Sequence, residues 1–271
     1  AVSDKGTIYR FNEKLELISG FPINKDIRVS AKPICYNKKF FIPAEKTMLI
    51  ISSNGEEIAV LELPSKIKNT PAIWNNILAI TPRSFDGEVY LYKDNGTLIE
   101  NYPVLTNSLP SSSPLIFQYG ENIYIVVCTE DKNIYAFNDR GELLSGYPLT
   151  LSGSVVAGPY WVSDWNAYVV CTDDTVLWKI SPQGNIIASI PLKIQTGKPS
   201  ALFSFNIDNK GLSELFISSS GNAIYAFDSS LFAVSGFPIA GFNTVLFFNI
   251  DDNKPDLITI GKDGGIHAYS Y

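Results

Sequence analysis

Few residues in this chain have the type and spacing to do chemistry. His267 is the only histidine among 271 residues, in the run GIHAYS. It occupies the place where earlier copies of the same run carry tyrosine, so it reads as a packed aromatic substitute. One imidazole cannot build the multi-histidine zinc sites of common hydrolases. A Ser-His-Asp triad would have to use His267, and no Gly-x-Ser-x-Gly elbow precedes it. A phosphate-cradling P-loop is also missing. Paired carboxylates need only lie about 5–10 Å apart to hydrolyse a glycosidic bond. Asp86, Asp131, Asp173 and Asp174 are the candidates, all in turns that a closed ring would bring to one rim. Their ordinary role is to cap those turns. The aromatic group Tyr160, Trp161 and Trp165, in GPYWVSDWNAY, is the binding candidate. Exposed Trp and Tyr anchor protein interfaces and stack on sugars. Alternation along a strand sends Tyr160 and Trp161 to opposite faces, so one of them is expected at the rim.

These residues must be positioned by a repeat. GTIYRFNEKLELISGFP (6–22) returns as GEVYLYKDNGTLIENYP (87–103), KNIYAFNDRGELLSGYP (132–148) and NAIYAFDSSLFAVSGFP (222–238). Weaker copies end at Pro64 and Pro191, and the six prolines lie 39 to 47 residues apart. A period of about 40–45 residues marks a fold in which each unit is one small sheet. Each unit reads as four strands. The first opens at an X-Pro step (Pro33, Pro71, Pro114, Pro159, Pro199), where the missing N–H is tolerated. The second is the run of the type KFFIPA, NIYIVVCT or AYVVCT, the third the IYAF run, and the fourth the stretch ending in proline. Both faces of IYAF are apolar, so each sheet needs neighbours on both sides. Radial stacking of such sheets is the β-propeller solution. The expected fold is therefore all-β, a propeller of four-stranded antiparallel blades forming a single domain over residues 1–271. About 25 strands are expected, against 24 for six blades and 28 for seven. Six blades are favoured, with an N-terminal strand completing the last sheet, and seven are the alternative.

A formal net charge of −6 argues against nucleic acid or an anionic membrane as partner. No apolar run is long enough to span a bilayer. Cys35, Cys128 and Cys171 each fall inside an expected strand and read as small buried hydrophobes. One disulfide among them is open on sequence grounds.

The X-Pro strand, the second strand and the G-x-I-Y-A-F-D run resemble the repeat of quinoprotein-like (PQQ-like) propellers over nearly the whole chain. The quinone-dependent enzymes of that superfamily carry a vicinal cysteine pair that this sequence lacks, so their activity does not transfer. A second resemblance lies in Asn206-Ile207-Asp208-Asn209-Lys210-Gly211-Leu212-Ser213-Glu214-Leu215, which is similar to the calcium loop of FG-GAP propeller repeats. Residues 249–257 form a shorter version. The resemblance implies Asn206, Asp208, Glu214, Asp251 and Asp256 as calcium ligands. It departs at Lys210, which puts a cation where a carboxylate ligand belongs. Polar hairpins capped by their own Asp and Asn side chains are the plainer reading of both loops.

Together these features read as a non-catalytic scaffold that binds a protein partner and needs no cofactor, with calcium the one metal its loops suggest. The alternatives are a calcium-stabilised adhesive or carbohydrate-binding module and a glycan-active hydrolase using rim carboxylates. The resemblance to exported propellers implies an extracellular, periplasmic or cell-envelope setting.

Overall fold

In a computed structural model, residues 1–195, 197–206, 211–248, 256–261 and 264–270 are described, with backbone only at 242–248 and 270. Among them are 25 strands and one short 3-10 turn. No helix there is long and apolar enough to cross a membrane. Two compact units can be separated, one of residues 1–131 with 135–144, the other of 132–134 with 145–271.

In the first unit β1 (Thr7–Ile8) pairs with β2 (Ile23–Asn24), and Val2 bridges Ile8. The next sheet runs in chain order through β3 (Ile34–Tyr36), β4 (Lys39–Ala44), β5 (Thr47–Ser52) and β6 (Glu57–Glu62). Then come β7 (Ala72–Trp74), β8 (Ile77–Ile80), β9 (Glu88–Lys93) and β10 (Val104–Leu105), again in order. β11 (Leu115–Tyr119) pairs with β12 (Asn122–Cys128). The division between the units runs through β13 (Asn133–Phe137), whose start pairs with β14 (Leu149–Thr150) in the second unit. That unit continues with β15 (Val155–Val162), β16 (Ala167–Thr172), β17 (Val176–Ile180) and β18 (Ile186–Pro191) as one sheet. β19 (Pro199–Phe205), β20 (Glu214–Ser219), β21 (Ala223–Phe227) and β22 (Ile239–Ala240) form the next, and β23 (Phe242–Phe248), β24 (Asp256–Ile260) and β25 (Ile266–Ser270) the last. All described pairings are antiparallel.

Period-two alternation explains why the sheets stack within each unit. Phe41, Met48 and Ile50 pack with Leu78, Ile80 and Tyr92 of the following sheet. Their chain neighbours Ile42, Leu49 and Ile51 pack on the opposite face with Ile8 and Phe21. Each fully buried Leu or Ile contributes about 1.5–3 kcal/mol, so a sheet sealed on both faces gains twice.

The outer strand differs from the sequence expectation. In four repeats the stretch before the proline makes only an isolated bridge: Phe11 to Leu17, Tyr92 to Leu98, Phe137 to Leu143 and Phe227 to Ala233. The chain then leaves the sheet, passes a cis X-Pro bond (Phe21-Pro22, Tyr102-Pro103, Tyr147-Pro148, Phe237-Pro238) and returns for two residues as β2, β10, β14 and β22. Only β6 and β18, in the repeats without an aromatic-proline pair, are continuous six-residue outer strands. Pro159 also departs from expectation. It sits inside β15, where the register shifts between Ala157 and Tyr160, and not at the strand's first residue.

Cys128 and Cys171 are buried in second strands, and Cys35 is exposed, contrary to the expectation that all three are core; none is bridged. Burial pushes the Cys128 thiol up to about 12 and raises Cys171 as well. The thiolate is the nucleophile. Native protein treated with iodoacetamide at pH 8 is therefore expected to carry one label, at Cys35, and urea-unfolded protein three. Intact-mass spectrometry with peptide mapping reads the outcome, and native labelling at Cys128 or Cys171 would contradict the packing.

Candidate functional site

The aromatic group lies at the connection between β15 and β16. Ser163–Trp165 make a single 3-10 turn, ended by Asn166 in the left-handed region at φ 47°. Asn tolerates that conformation better than other non-glycine residues. Tyr160 pairs with Val169 and Trp161 with Tyr168 across the strands, so the two side chains take opposite faces. Tyr160 packs against the core shared with the β19–β22 sheet, and its hydroxyl accepts the Ser204 N–H at 3.2 Å. Trp161 is half-buried on the other face. Trp165 is 7% exposed and belongs to the shared core. Its indole N–H donates to the Ser213 carbonyl at 2.8 Å, while the neighbouring Asp164 carboxylate accepts the Ser213 N–H at 2.6 Å. Tyr160 and Trp165 thus clamp one sheet to the next, and Trp161 lies on the opposite face, half-buried like Tyr160.

Trp165 leads to a feature the sequence reading missed. The Lys179 ammonium lies 4.7 Å from its ring centroid and donates to the Ser229 carbonyl at 2.7 Å. Burial lowers the Lys179 pKa, and Asp228 opposes the shift. Ser229 belongs to the turn between β21 and the outer stretch of its sheet. In this turn Asp228 Oδ1 accepts the N–H groups of Ser230 and Phe232, both at 2.9 Å. Asn138 Oδ1 does the same for Arg140 and Glu142 in its own repeat.

Elsewhere such a turn receives an aromatic hydroxyl from the sheet before it. Tyr102 donates to the Asn138 carbonyl at 2.6 Å, and Tyr147 to the Pro182 carbonyl at 3.1 Å. Both tyrosines come from aromatic-proline pairs. The two repeats lacking that pair use lysine: Lys39 to Asp94, at 2.6 Å to the carboxylate, and Lys179 to Ser229. The substitution supplies the hydrogen bond and omits the ring. At Lys39 the space is closed by Gly96, on which an added Cβ would stand 2.6 Å from that of Ala59. At Lys179 the glycine position holds Leu231, 3% exposed with φ 66°. A cavity of about 310 Å³ remains beside it, lined by Ile190, Pro191, Lys193, Phe227, Phe232 and Phe237. Phe232 is 71% exposed at this cavity. The sequence did carry the signal, in Ile190-Pro191 where four repeats have Tyr-Pro or Phe-Pro, and in Leu231 where most have glycine.

Three of the four turn carboxylates are engaged locally. Asp131 accepts from the Thr129 hydroxyl at 2.5 Å, and Asp173 from the Ser154 N–H at 3.0 Å. Hydrogen bonds from Ser152 and Thr172 hold Asp174 below the usual carboxylate range, the opposite of what a general acid needs. Asp86 lends its backbone carbonyl to the Asn107 N–H. His267 is half-buried in β25, paired across the sheet with Thr259. Of the calcium-ligand candidates, Asp208 and Asp251 lie outside the described residues. Glu214 opens β20, and Asp256 opens β24 and is buried. Asn206 donates through Nδ2 to the Gly211 carbonyl at 2.7 Å, and its Oδ1 is buried with no hydrogen-bond partner among the described residues.

Solved structures share the fold of these repeated, mostly four-stranded antiparallel sheets. The crystal structure of BBS1N in complex with ARL6DN, soaked with mercury, matches 93% of this chain and 80% of that chain, with a TM-score of 0.64 at 15% sequence identity. Its lead-soaked counterpart gives 0.63 at 16% over the same shares. The chain has the β-propeller fold. No protein-family model matches it, and no curated protein matches it in sequence.

Proposed function

We propose that this protein is a non-catalytic scaffold whose propeller holds a protein partner. Phe232 carries the reading: a phenyl ring 71% exposed on a tightly hydrogen-bonded turn, at an apolar cavity. Large apolar side chains held in water at such a site mark interaction surfaces. The half-buried Trp161 is a second, partly accessible aromatic. The similar BBS1N fold, crystallised with ARL6DN, supports the class of function and says nothing of the partner. In this reading the whole chain is one propeller domain, six blades by repeat spacing with seven the alternative. Membership among quinoprotein-like or FG-GAP-like propellers, and with it an exported setting, rests on the repeat motifs. The test is affinity capture with crosslinking, using wild type and Phe232→Glu. A stoichiometric partner crosslinked near the cavity and lost in the variant is expected. Capture of nothing above background by wild type would overturn the reading.

The Asn206 Oδ1 atom, buried without a hydrogen-bond partner among the described residues, favours calcium as a structural addition. Such an oxygen is costly unless something satisfies it. Calcium added to chelator-treated protein is expected to raise Tm, and Asn206→Leu to abolish the rise. An unchanged Tm in wild type would remove the metal from the account.

A further inference from the structure

We propose that the seam between β18 and β21 receives an extended segment of a partner protein, which adds to β18 as a fifth strand and seats an aromatic side chain in the cavity. The inference rests on the protein-binding reading and names the partner's chemistry and mode.

Three observations carry it. First, β18 is an outer strand with an open edge, in register with β17 from Ala188 to Pro191 and bulged at Ile187. It pairs only with β17 in its sheet, and the Leu192 N–H donates inward to the Thr175 carbonyl. Alternation then turns the backbone groups of Ser189 outward, where no hydrogen bond engages them among the described residues. Unpaired ladder groups on an edge are a template for another strand.

Second, the open part of the edge, between the bulge at Ile187 and Pro191 at the strand's end, carries no charge. Four outer strands are cut to two residues by the proline excursion, and β6 carries Glu57 and Glu62 at its ends. From Asn185 to Leu192 there is no charged residue, and Ile186 and Ile187 are 44% and 50% exposed.

Third, the chain itself shows what fills such a seam. Tyr102 and Tyr147 sit on the turns of the sheets that follow them. Here the turn carbonyl is already taken by Lys179, so only the ring's apolar volume is missing. A strand laid along β18 would send alternate side chains to the Ile190 face, which lines the cavity. Lys193 at the lining favours a carboxylate beside the aromatic. A second copy pairing through its own β18 would bring no aromatic, because residues 185–192 contain none.

The probe is a set of linear peptides selected on the whole chain from a random phage-displayed library. The expected sequences alternate apolar residues, include Phe, Tyr or Trp, and carry Asp or Glu next to it. Binding is expected to weaken about tenfold or more on replacing that aromatic with alanine, on N-methylating ladder-facing amides of the peptide, and in Ser189→Pro. Proline at an edge position whose N–H points out is compatible with folding, and the two peptide changes leave the protein untouched. Peptides that bind Ser189→Pro as well as wild type would overturn strand addition while leaving the scaffold reading intact. Self-association of wild type that Ser189→Pro reverses would make the occupant a second copy and overturn the proposal. Failure to select any peptide would overturn it too, and only an empty capture experiment would take the scaffold reading with it.

Discussion

Replacing Trp165 with alanine is expected to destabilise the second unit by about 3–5 kcal/mol, the range for emptying a large buried aromatic site. Three losses combine. The indole leaves a cavity in the core formed by Val162, Val169, Leu215, Ile217 and Phe227. The Ser213 carbonyl loses the 2.8 Å indole hydrogen bond. Lys179, already disfavoured as a charge by burial, loses the ring face beneath it. Trp161→Ala, at a half-buried position on the opposite face, is expected to cost roughly a third as much, with a larger effect on partner binding than on stability. Urea unfolding followed by circular dichroism gives both values. A Trp165→Ala protein within about 1 kcal/mol of wild type, a typical single-mutation change, would show that the ring is not part of the clamp.

Reading the chain as a sequence finds the architecture because its cause is local. The four-strand period comes from turn residues at fixed offsets, and the two-sided stacking from alternation within runs such as IYAF. What it cannot find is which aromatic lies inside. Trp161 and Trp165 are four residues apart in one surface-like segment, and alternation applies only while the strand lasts. The strand ends at Val162, and the 3-10 turn then swings Trp165 under the sheet edge. The outer strand is misread for a related reason. An apolar run ending in proline looks like a strand, although proline, with no N–H to give a ladder, suits a departure from the sheet equally well. The seam at β18 needs comparison between repeats, since Ile190-Pro191 and Leu231 mean little singly. Together they show a place where the repeat stopped supplying its own ring. The metal loops had no such internal comparison, and Asn206 is informative only because its Oδ1 has no hydrogen-bond partner among the described residues.

Tyr147 separates the two roles of the aromatic-proline pair, the ring and its hydroxyl. It is 8% exposed, with its oxygen 3.0 Å from the Tyr168 hydroxyl and 3.1 Å from the Pro182 carbonyl. Tyr147→Phe keeps the ring and removes, in a buried site, the hydroxyl that contacts the Tyr168 hydroxyl and the Pro182 carbonyl. Leaving one such group unsatisfied costs about 1–3 kcal/mol. Tyr147→Ala removes the ring as well and is expected to cost about 3–5 kcal/mol. If the ring's volume is what each seam requires, the difference between the two variants should exceed the cost of the phenylalanine change alone. The alanine protein should then acquire an apolar cavity resembling the one beside β18, and that cavity predicts a further result. A hydrophobic dye such as ANS, or an aromatic peptide selected on the β18 seam, should bind the Tyr147→Ala protein at a second place. That second binding should survive Ser189→Pro, which blocks only the first. Equal stability losses for phenylalanine and alanine would mean the hydroxyl network holds the seam. The open space beside β18, where Lys179 already makes the polar contact, would then have no call for a ring.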